Sequence, residues 1–284
     1  MAAGILYLVA TPIGNLEDIT LRALRVLKEV DLVAAEDTRH SRKLFNHFGI
    51  ATSLTSFFQH NEAAKGERII ELLRQGKSVA LISDAGTPAI SDPGYLLVCR
   101  CREERLPVTA VPGPSAVVVA LSLSGLPVSR FAFDGFLPAR SSARREMFAG
   151  VARECRRTVA FYEAPHRLLA ALQDLRSELG DERQIAVARE LTKIHEELFR
   201  GTVVEALEHF GQNRVRGEIV LMIAPALLEP PQETVREALR RLQADNRLSR
   251  REIVKQVARQ FGLPGSEVYQ ESLDMNDEME DLDG

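Results

Sequence analysis

Tryptophan is absent from the 284 residues, histidine occurs six times and cysteine three times. The histidines are scattered, and His195-Glu196-Glu197 has no second His four residues on, so no metal site is expected. Two of the cysteines form the close pair Cys99 and Cys101, and the odd total suits neither a disulfide framework nor a Cys-x-x-Cys zinc site. A reducing, cytoplasmic compartment is the expectation. The longest apolar stretch, 116–126, is about half the ~20 residues of a membrane span and is broken by Ser122, Ser124 and Gly125. No Lys or Arg precedes the apolar run near Met1, which leads into a Pro-Ile-Gly-Asn turn and reads as a first strand rather than a signal. Excess positive charge is missing too: 36 Lys+Arg against 40 Asp+Glu give a net charge of −4, so any basic patch for nucleic acid is local.

What is present fits two folded domains, at about 150 residues each. Strands are expected at 5–9, 31–34, 78–82 and 107–111, with helices at 21–30, 64–74 and 95–104, the rhythm of βαβ units on a mostly parallel sheet. At 139–157 the character changes, with six arginines against two glutamates, and a linker and domain boundary are expected there. Strands at 158–162, 184–189, 197–202 and 216–223 and a helix at 166–179 then read as a mixed sheet. After a proline-bearing linker at 225–232, Thr234 with Glu237 and Ser249 with Glu252 match the capping-box pattern. Ile253, Val254, Val257 and Phe261 line one helical face, with Gly262 placed to end it and Ser266 to cap another helix. The module at 232–273 resembles a helix-turn-helix; a helical cap without a nucleic-acid role is the alternative. Six carboxylates in 274–284 read as a solvated, disordered tail.

Two loops follow expected parallel strands: Ser83 to Gly94, containing Asp84, Gly86, Thr87, Pro88, Ile90 and Asp92, and Pro112 to Ala116, containing Ser115. Ligands of open α/β sheets bind at the carboxyl ends of strands, although plain turn chemistry explains either loop alone. No Lys or Arg occurs in 78–99 or 106–129, and the chain has no G-x-x-x-x-G-K-[ST], G-x-G-x-x-G or G-x-S-x-G pattern. Nucleoside triphosphates, NAD and serine hydrolysis are therefore disfavoured. A neutral or cationic ligand fits better, favoured by Asp84 or Asp92. Three polar clusters stand at expected strand ends: Glu36 to His40, Tyr162 to Arg167 and Arg189 to Lys193. Each has a bland explanation as a helix cap or surface ion pair, but a cleft between two domains is where such ends converge.

The segments Leu8-Val9-Ala10-Thr11-Pro12-Ile13-Gly14-Asn15-Leu16, Ala35-Glu36-Asp37-Thr38-Arg39, Ser83-Asp84-Ala85-Gly86-Thr87-Pro88, Val111-Pro112-Gly113-Pro114-Ser115, Phe161-Tyr162-Glu163-Ala164-Pro165-His166-Arg167 and Arg189-Glu190-Leu191-Thr192-Lys193 carry the reading further. Together they resemble the bacterial ribosomal RNA small subunit methyltransferase I family, of the tetrapyrrole methylase superfamily, over about residues 4–273. The resemblance implies two α/β domains with S-adenosylmethionine in the cleft between them, plus the C-terminal helical module, in a homodimer. It implies methyl transfer to the ribose 2′-oxygen of a cytidine in the decoding centre of 16S ribosomal RNA, with the assembled small ribosomal subunit as the expected partner. The domains expected on this basis are 1–138, the basic segment 139–157, 158–226, 232–273 and the tail 274–284.

Carried over by residue, the resemblance places the cofactor against Asp84, Gly86, Thr87, Pro88, Ile90, Ser115, Ala116, Ala188 and Met222. It puts 11–15 on the acceptor side. The sulfonium is already a good leaving group, so the chemistry needs alignment and removal of a hydroxyl proton. Glu36, Asp37, Glu163 and Glu190 are the base candidates, with pure positioning as the alternative. Asn15, Arg39, His40, Arg144, Arg145, Arg167 and Lys193 are expected to hold RNA, the cations through its backbone. Methylation of a tetrapyrrole precursor or protein side chain, or a non-catalytic RNA-binding role, are the rival readings; the helical module and arginine-rich segment disfavour the first, the intact cofactor loops the second.

Overall fold

The computed structural model describes residues 3–152, 156–212, 214–226, 233–244, 248–261 and 263–280. They divide into two units, Met1–Ala226 and Leu227–Gly284. In the first, β1 (Leu6–Val9), α1 (Leu21–Glu29), β2 (Leu32–Ala35), α2 (Thr38–Phe48), β3 (Leu54–Ser56), α3 (Glu62–Arg74), β4 (Val79–Ile82), α4 (Tyr95–Glu103) and β5 (Val108–Val111) build a five-stranded sheet ordered β3-β2-β4-β1-β5. Every pairing is parallel. The central β4 is buried along its whole length, so Val79-Ala80-Leu81-Ile82 reads as a continuous apolar run rather than an alternation. Side chains of α1 and α2 cover one face of the sheet and those of α3 and α4 the other.

The second sheet contains β6 (Phe131–Phe136), β7 (Thr158–Glu163), β8 (Gln184–Arg189), β9 (Glu197–Thr202) and β10 (Ile219–Ile223), ordered β6-β7-β10-β8-β9. Only β6 and β7 run parallel, so the sheet is mixed, as expected. One face packs against α6 (Ser141–Ala152), α7 (Leu168–Leu179) and α8 (Val203–Gly211). The other meets α5 (Ala116–Leu123), whose Val117, Ala120 and Leu121 pack with Ala160, Ala186, Ala188, Val220 and Met222. The apolar stretch at 116–126 is thus a helix over Ala116–Leu123 that packs by one side on the second sheet and leaves Val118 and Leu123 exposed.

The boundary expected at 138 shifts, because β6 pairs with β7 and belongs to the second sheet. The arginine-rich segment is not a linker as far as it is described: α6 occupies 141–152 and buries Phe148 in the core. The second unit holds α9 (Val235–Gln243), α10 (Arg250–Phe261) and α11 (Gly265–Glu280) around Leu239, Val257 and Val268. Both capping boxes form: Thr234 exchanges bonds with Glu237, and Ser249 with Glu252. The acidic tail begins later than expected, since α11 runs through 274–280 and buries Met275. Residues 227–232 of the proline-bearing linker, Gly262 and 281–284 lie outside the described residues.

Candidate functional site

In the first sheet the chain passes from β1 over β4 to β2, and later from β4 over β1 to β5, so the winding reverses between β1 and β4. The loops leaving those two strands therefore flank a crevice. They are tied together: Thr11 and Gly86 exchange backbone hydrogen bonds of 2.9 and 3.0 Å, and the Thr11 hydroxyl donates to the Ser83 carbonyl. Gly86 has φ +81°, and Ala89 and Ser91 also take the left-handed region, at φ 67° and 63°. Such strain persists only where the surroundings enforce it. One enforcing group is the buried Glu62 carboxylate, which accepts the Gly94 N–H at 3.1 Å. The Thr87 hydroxyl donates to the Pro114 carbonyl at 3.2 Å, joining the β4 loop to the β5 loop.

Above this crevice lies a cavity of about 260 Å³. Its floor comes from Ile13, Glu36, the β4 loop from Asp84 to Thr87, Ile90, Asp92, Ser115 and Ala116. Its opposite wall comes from Phe136, Tyr162, Ala188, Leu191, Glu218 and Val220, on or beside β6, β7, β8 and β10. The wall is one surface because register aligns it: Val220 stands opposite both Tyr162 and Ala188. Phe136 meets Tyr162 edge-on at 5.3 Å.

Among the described residues, four carboxylates and no Lys or Arg line this cavity. Burial pushes the Asp92 carboxyl up to about 6, helped by the Glu36 and Asp84 charges. Glu36 is raised for the same reasons, burial first and Asp84 next. Asp84 is positioned by the Asp37 backbone N–H, which donates to its Oδ1 at 3.0 Å. A cavity that crowds carboxylates together favours a ligand carrying positive charge.

A second cavity of about 480 Å³ shares Ile13, Asp84, Ala85 and Glu218 with the first. Thr11, Gly14, His40, Lys43 and Lys193 also line it. Here the β1 loop presses on the loop after β8: a Cβ on Gly14 would stand 2.5 Å from Lys193 Cγ and 2.9 Å from the Leu191 carbonyl oxygen. The β8 loop is itself strained, with Glu190 and Thr192 at φ 51° and 66°. Lys193 Nζ donates to Glu190 at 2.7 Å and to Glu218 at 3.0 Å, while the Glu218 N–H donates to Glu190 at 3.0 Å. Burial alone would raise the Glu190 pKa, but the Lys193 ammonium and the Glu218 N–H outweigh it and hold it below the usual value.

Of the cofactor-side residues named from sequence, Asp84, Gly86, Thr87, Ile90, Ser115, Ala116 and Ala188 line the first cavity. Pro88 is buried behind the loop, and Met222 lies in the core, two residues along β10 from the wall residue Val220. Among the four base candidates only Glu36 reaches the cavity. Asp37 caps α2 and pairs with Arg39, which holds its carboxyl down to about 2. Glu163 follows Tyr162 on β7 and so points to the other face of the sheet, where it is buried against Arg167 at 2.7 Å. Glu190 is held by Lys193.

The residues expected from sequence to hold RNA differ as sharply. His40 and Lys193 line the second cavity, and Asn15 is exposed at the cap of a short 3-10 turn. Arg39 is exposed, and Arg145 pairs at the surface with Glu178. Arg144 must be withdrawn as an RNA contact: it is 3% exposed and bound to Asp174 and to the Pro138 carbonyl. Phe136, Leu191, Glu218 and Val220 were not singled out. Their position follows from strand register, which leaves no local mark in the sequence.

Residues 5–207 match the model of the Tetrapyrrole (Corrin/Porphyrin) Methylases. The chain is 47% identical over 276 residues to a ribosomal RNA small subunit methyltransferase I from Synechocystis, covering 96% of this chain and 98% of that protein. It is 51% identical over 243 residues to the protein of that name from Pseudomonas aeruginosa, covering 84% and 86%. Among solved structures, uroporphyrin-III C-methyltransferase from Thermus thermophilus in complex with S-adenosylhomocysteine superposes with a TM-score of 0.54 at 20% identity, covering 78% of this chain and 97% of that one.

Proposed function

The chain belongs to the tetrapyrrole methylase family, within its ribosomal RNA small subunit methyltransferase I branch, and on that premise we propose that it methylates the ribose 2′-oxygen of a cytidine in the decoding centre of 16S ribosomal RNA, using S-adenosylmethionine. The observation that carries this reading is the first cavity, with Glu36, Asp84 and Asp92 gathered where the sheet winding reverses. Those carboxylates suit a ligand with a sulfonium and an ammonium group; Ile13, Ile90, Phe136, Tyr162 and Val220 offer apolar surface for a purine. Gly86, Ala116 and Ala188 leave room for close approach. Bound there, S-adenosylmethionine supplies a methyl group on a carrier that departs without acid assistance.

The remaining work falls to the chain's own residues. The second cavity receives the acceptor ribose, with His40 and Lys43 available to its phosphates and Lys193 held at its edge by Glu190 and Glu218. Asp84 and Glu218 stand on the wall common to both cavities. A hydroxyl presented from the second cavity is there aligned with the first, and alignment is the larger part of the barrier to remove. Asp84, fixed by the Asp37 N–H, is the group we assign to accept the hydroxyl proton, with Glu36 behind it; a positioned base contributes ~10²–10⁴-fold. Asn15, Arg39, Arg145 and the module from α9 to α11 offer further RNA contacts. We read the protein as a cytoplasmic homodimer in which a second copy covers exposed apolar side chains such as Tyr95 and Leu96.

The test is methyl transfer from radiolabelled S-adenosylmethionine to small ribosomal subunits lacking the modification, with naked 16S RNA and a tetrapyrrole precursor as controls. Label on the ribose of one decoding-centre cytidine is expected. Label on the tetrapyrrole alone would sink the assignment.

A further inference from the structure

Just beyond the reaction cavity, on the other face of the second sheet, lies a notch of about 470 Å³ lined by Pro165, His166, Leu169 and the segment Arg214 to Gly217. Among the described residues, no carboxylate lines it. The side chains of His166, Arg214 and Arg216 are exposed and have no ion-pair partner among the described residues. Arg39, Arg145, Arg167 and Lys193, by contrast, are each neutralised by an adjacent carboxylate. Two arginines left without counter-charge beside an imidazole make a surface complementary to an anion.

Both walls are held in place. On one side the buried Glu163 carboxylate accepts the Ala164 N–H at 2.6 Å and the Arg167 guanidinium at 2.7 Å, pinning the turn that presents His166. On the other the Arg189 guanidinium donates to the Arg216 carbonyl at 3.2 Å. The buried Glu163–Arg167 pair thus has a positioning role rather than a chemical one. Gly217 lines the notch and the next residue, Glu218, lines both cavities. A strand of RNA whose ribose sits in the second cavity passes over this rim.

We propose that the notch of His166, Arg214 and Arg216 grips a backbone phosphate of the RNA substrate next to the acceptor nucleotide. This rests on the reading of the chain as an rRNA methyltransferase. The test compares the wild-type protein with R214Q/R216Q and R214K/R216K for binding to unmodified small subunits across a salt series, with S-adenosylmethionine affinity measured by calorimetry on the same samples. The glutamine pair is expected to weaken RNA binding roughly tenfold and to make the log–log salt slope shallower by about 0.7, the share of one phosphate, with cofactor affinity unchanged. The lysine pair is expected to restore the slope. An unchanged slope in the glutamine pair, or a lysine pair no better than it, overturns the phosphate assignment while leaving the function standing. A wild-type protein that binds the cofactor but no RNA overturns the function and the notch together. If the double variant does not fold, R214Q and R216Q singly carry the same test, each at half the slope change.

Discussion

Replacing Arg144 by alanine separates stability from RNA binding. The Arg144 guanidinium bonds Asp174 through Nε at 2.8 Å and Nη2 at 2.5 Å, and its Nη1 donates to the Pro138 carbonyl at 3.1 Å. The two side chains are 4% and 15% exposed. Removing the arginine leaves the Asp174 carboxylate with the Ser141 hydroxyl, at 2.9 Å, as its remaining side-chain hydrogen-bond partner among the described residues. Breaking a buried pair from one side costs ~3–5 kcal/mol. For a unit of this size, roughly 2–4 °C per kcal/mol converts that to a fall in Tm of about 6–20 °C. Arg145, one residue on and 53% exposed, is the control: its pair with Glu178 is worth under about 1 kcal/mol. Denaturant titration of cofactor-free R144A and R145A, with an R144L/D174L double variant, makes the comparison. The double variant is expected to recover much of the loss, because no lone charge stays buried. Equal stability of R144A and R145A, or loss of RNA binding in R144A at wild-type stability, would refute the argument.

Asp92, whose carboxyl is pushed up to about 6, stays protonated in the folded protein at pH values where the unfolded chain has released its proton. The cofactor-free protein should therefore lose stability as pH rises from about 4 through 6, and D92N should flatten that slope. Affinity for S-adenosylmethionine should run the other way, falling below pH 6, as calorimetry at several pH values would record. Substituting Gly217, at φ +88° with a built Cβ 2.2 Å from Glu190 Cγ, should break the Glu190–Lys193–Glu218 cluster; G217A is expected to lose methyl transfer and about 1–3 kcal/mol of stability by denaturant titration. In kinetics, D84N should lower kcat by ~10²-fold or more, whereas D37N should leave kcat within a few-fold, since its carboxylate is engaged by Arg39. A D37N defect as deep as that of D84N would reverse the assignment of the base.

Much of this molecule is written locally. The strand at Gln184–Arg189, the strand at Glu197–Thr202 and the capping boxes at Thr234 and Ser249 appear where periodicity and cap residues put them. The two loops without Lys or Arg, 83–94 and 112–116, do form the floor of the cavity, because their Gly and Pro content and the strands before them are sequence-local facts. Charge is legible in the same way only up to a point. Six arginines in 139–157 read as a basic surface, yet Arg144 is drawn inward by Asp174, thirty positions away in the chain, and by the carbonyls left at the end of the β6 segment.

What the sequence by itself determined is therefore the family motifs, the parallel first sheet, the mixed second one and the loops that line the first cavity. The tertiary structure decided which side chains of those motifs meet. Tyr162 reaches the cavity and Glu163 does not, because adjacent residues of a strand face opposite ways and only the packing of α5 on one side and α7 on the other says which way is inward. Val220 rather than Met222 forms the wall because, on the same face of β10, register sets Val220 opposite Tyr162 and Ala188 and Met222 opposite the buried Ala160 and Ala186. Pairing across the sheet also brings Gly217 and Glu218 between notch and cavities, and no window of sequence contains that neighbourhood.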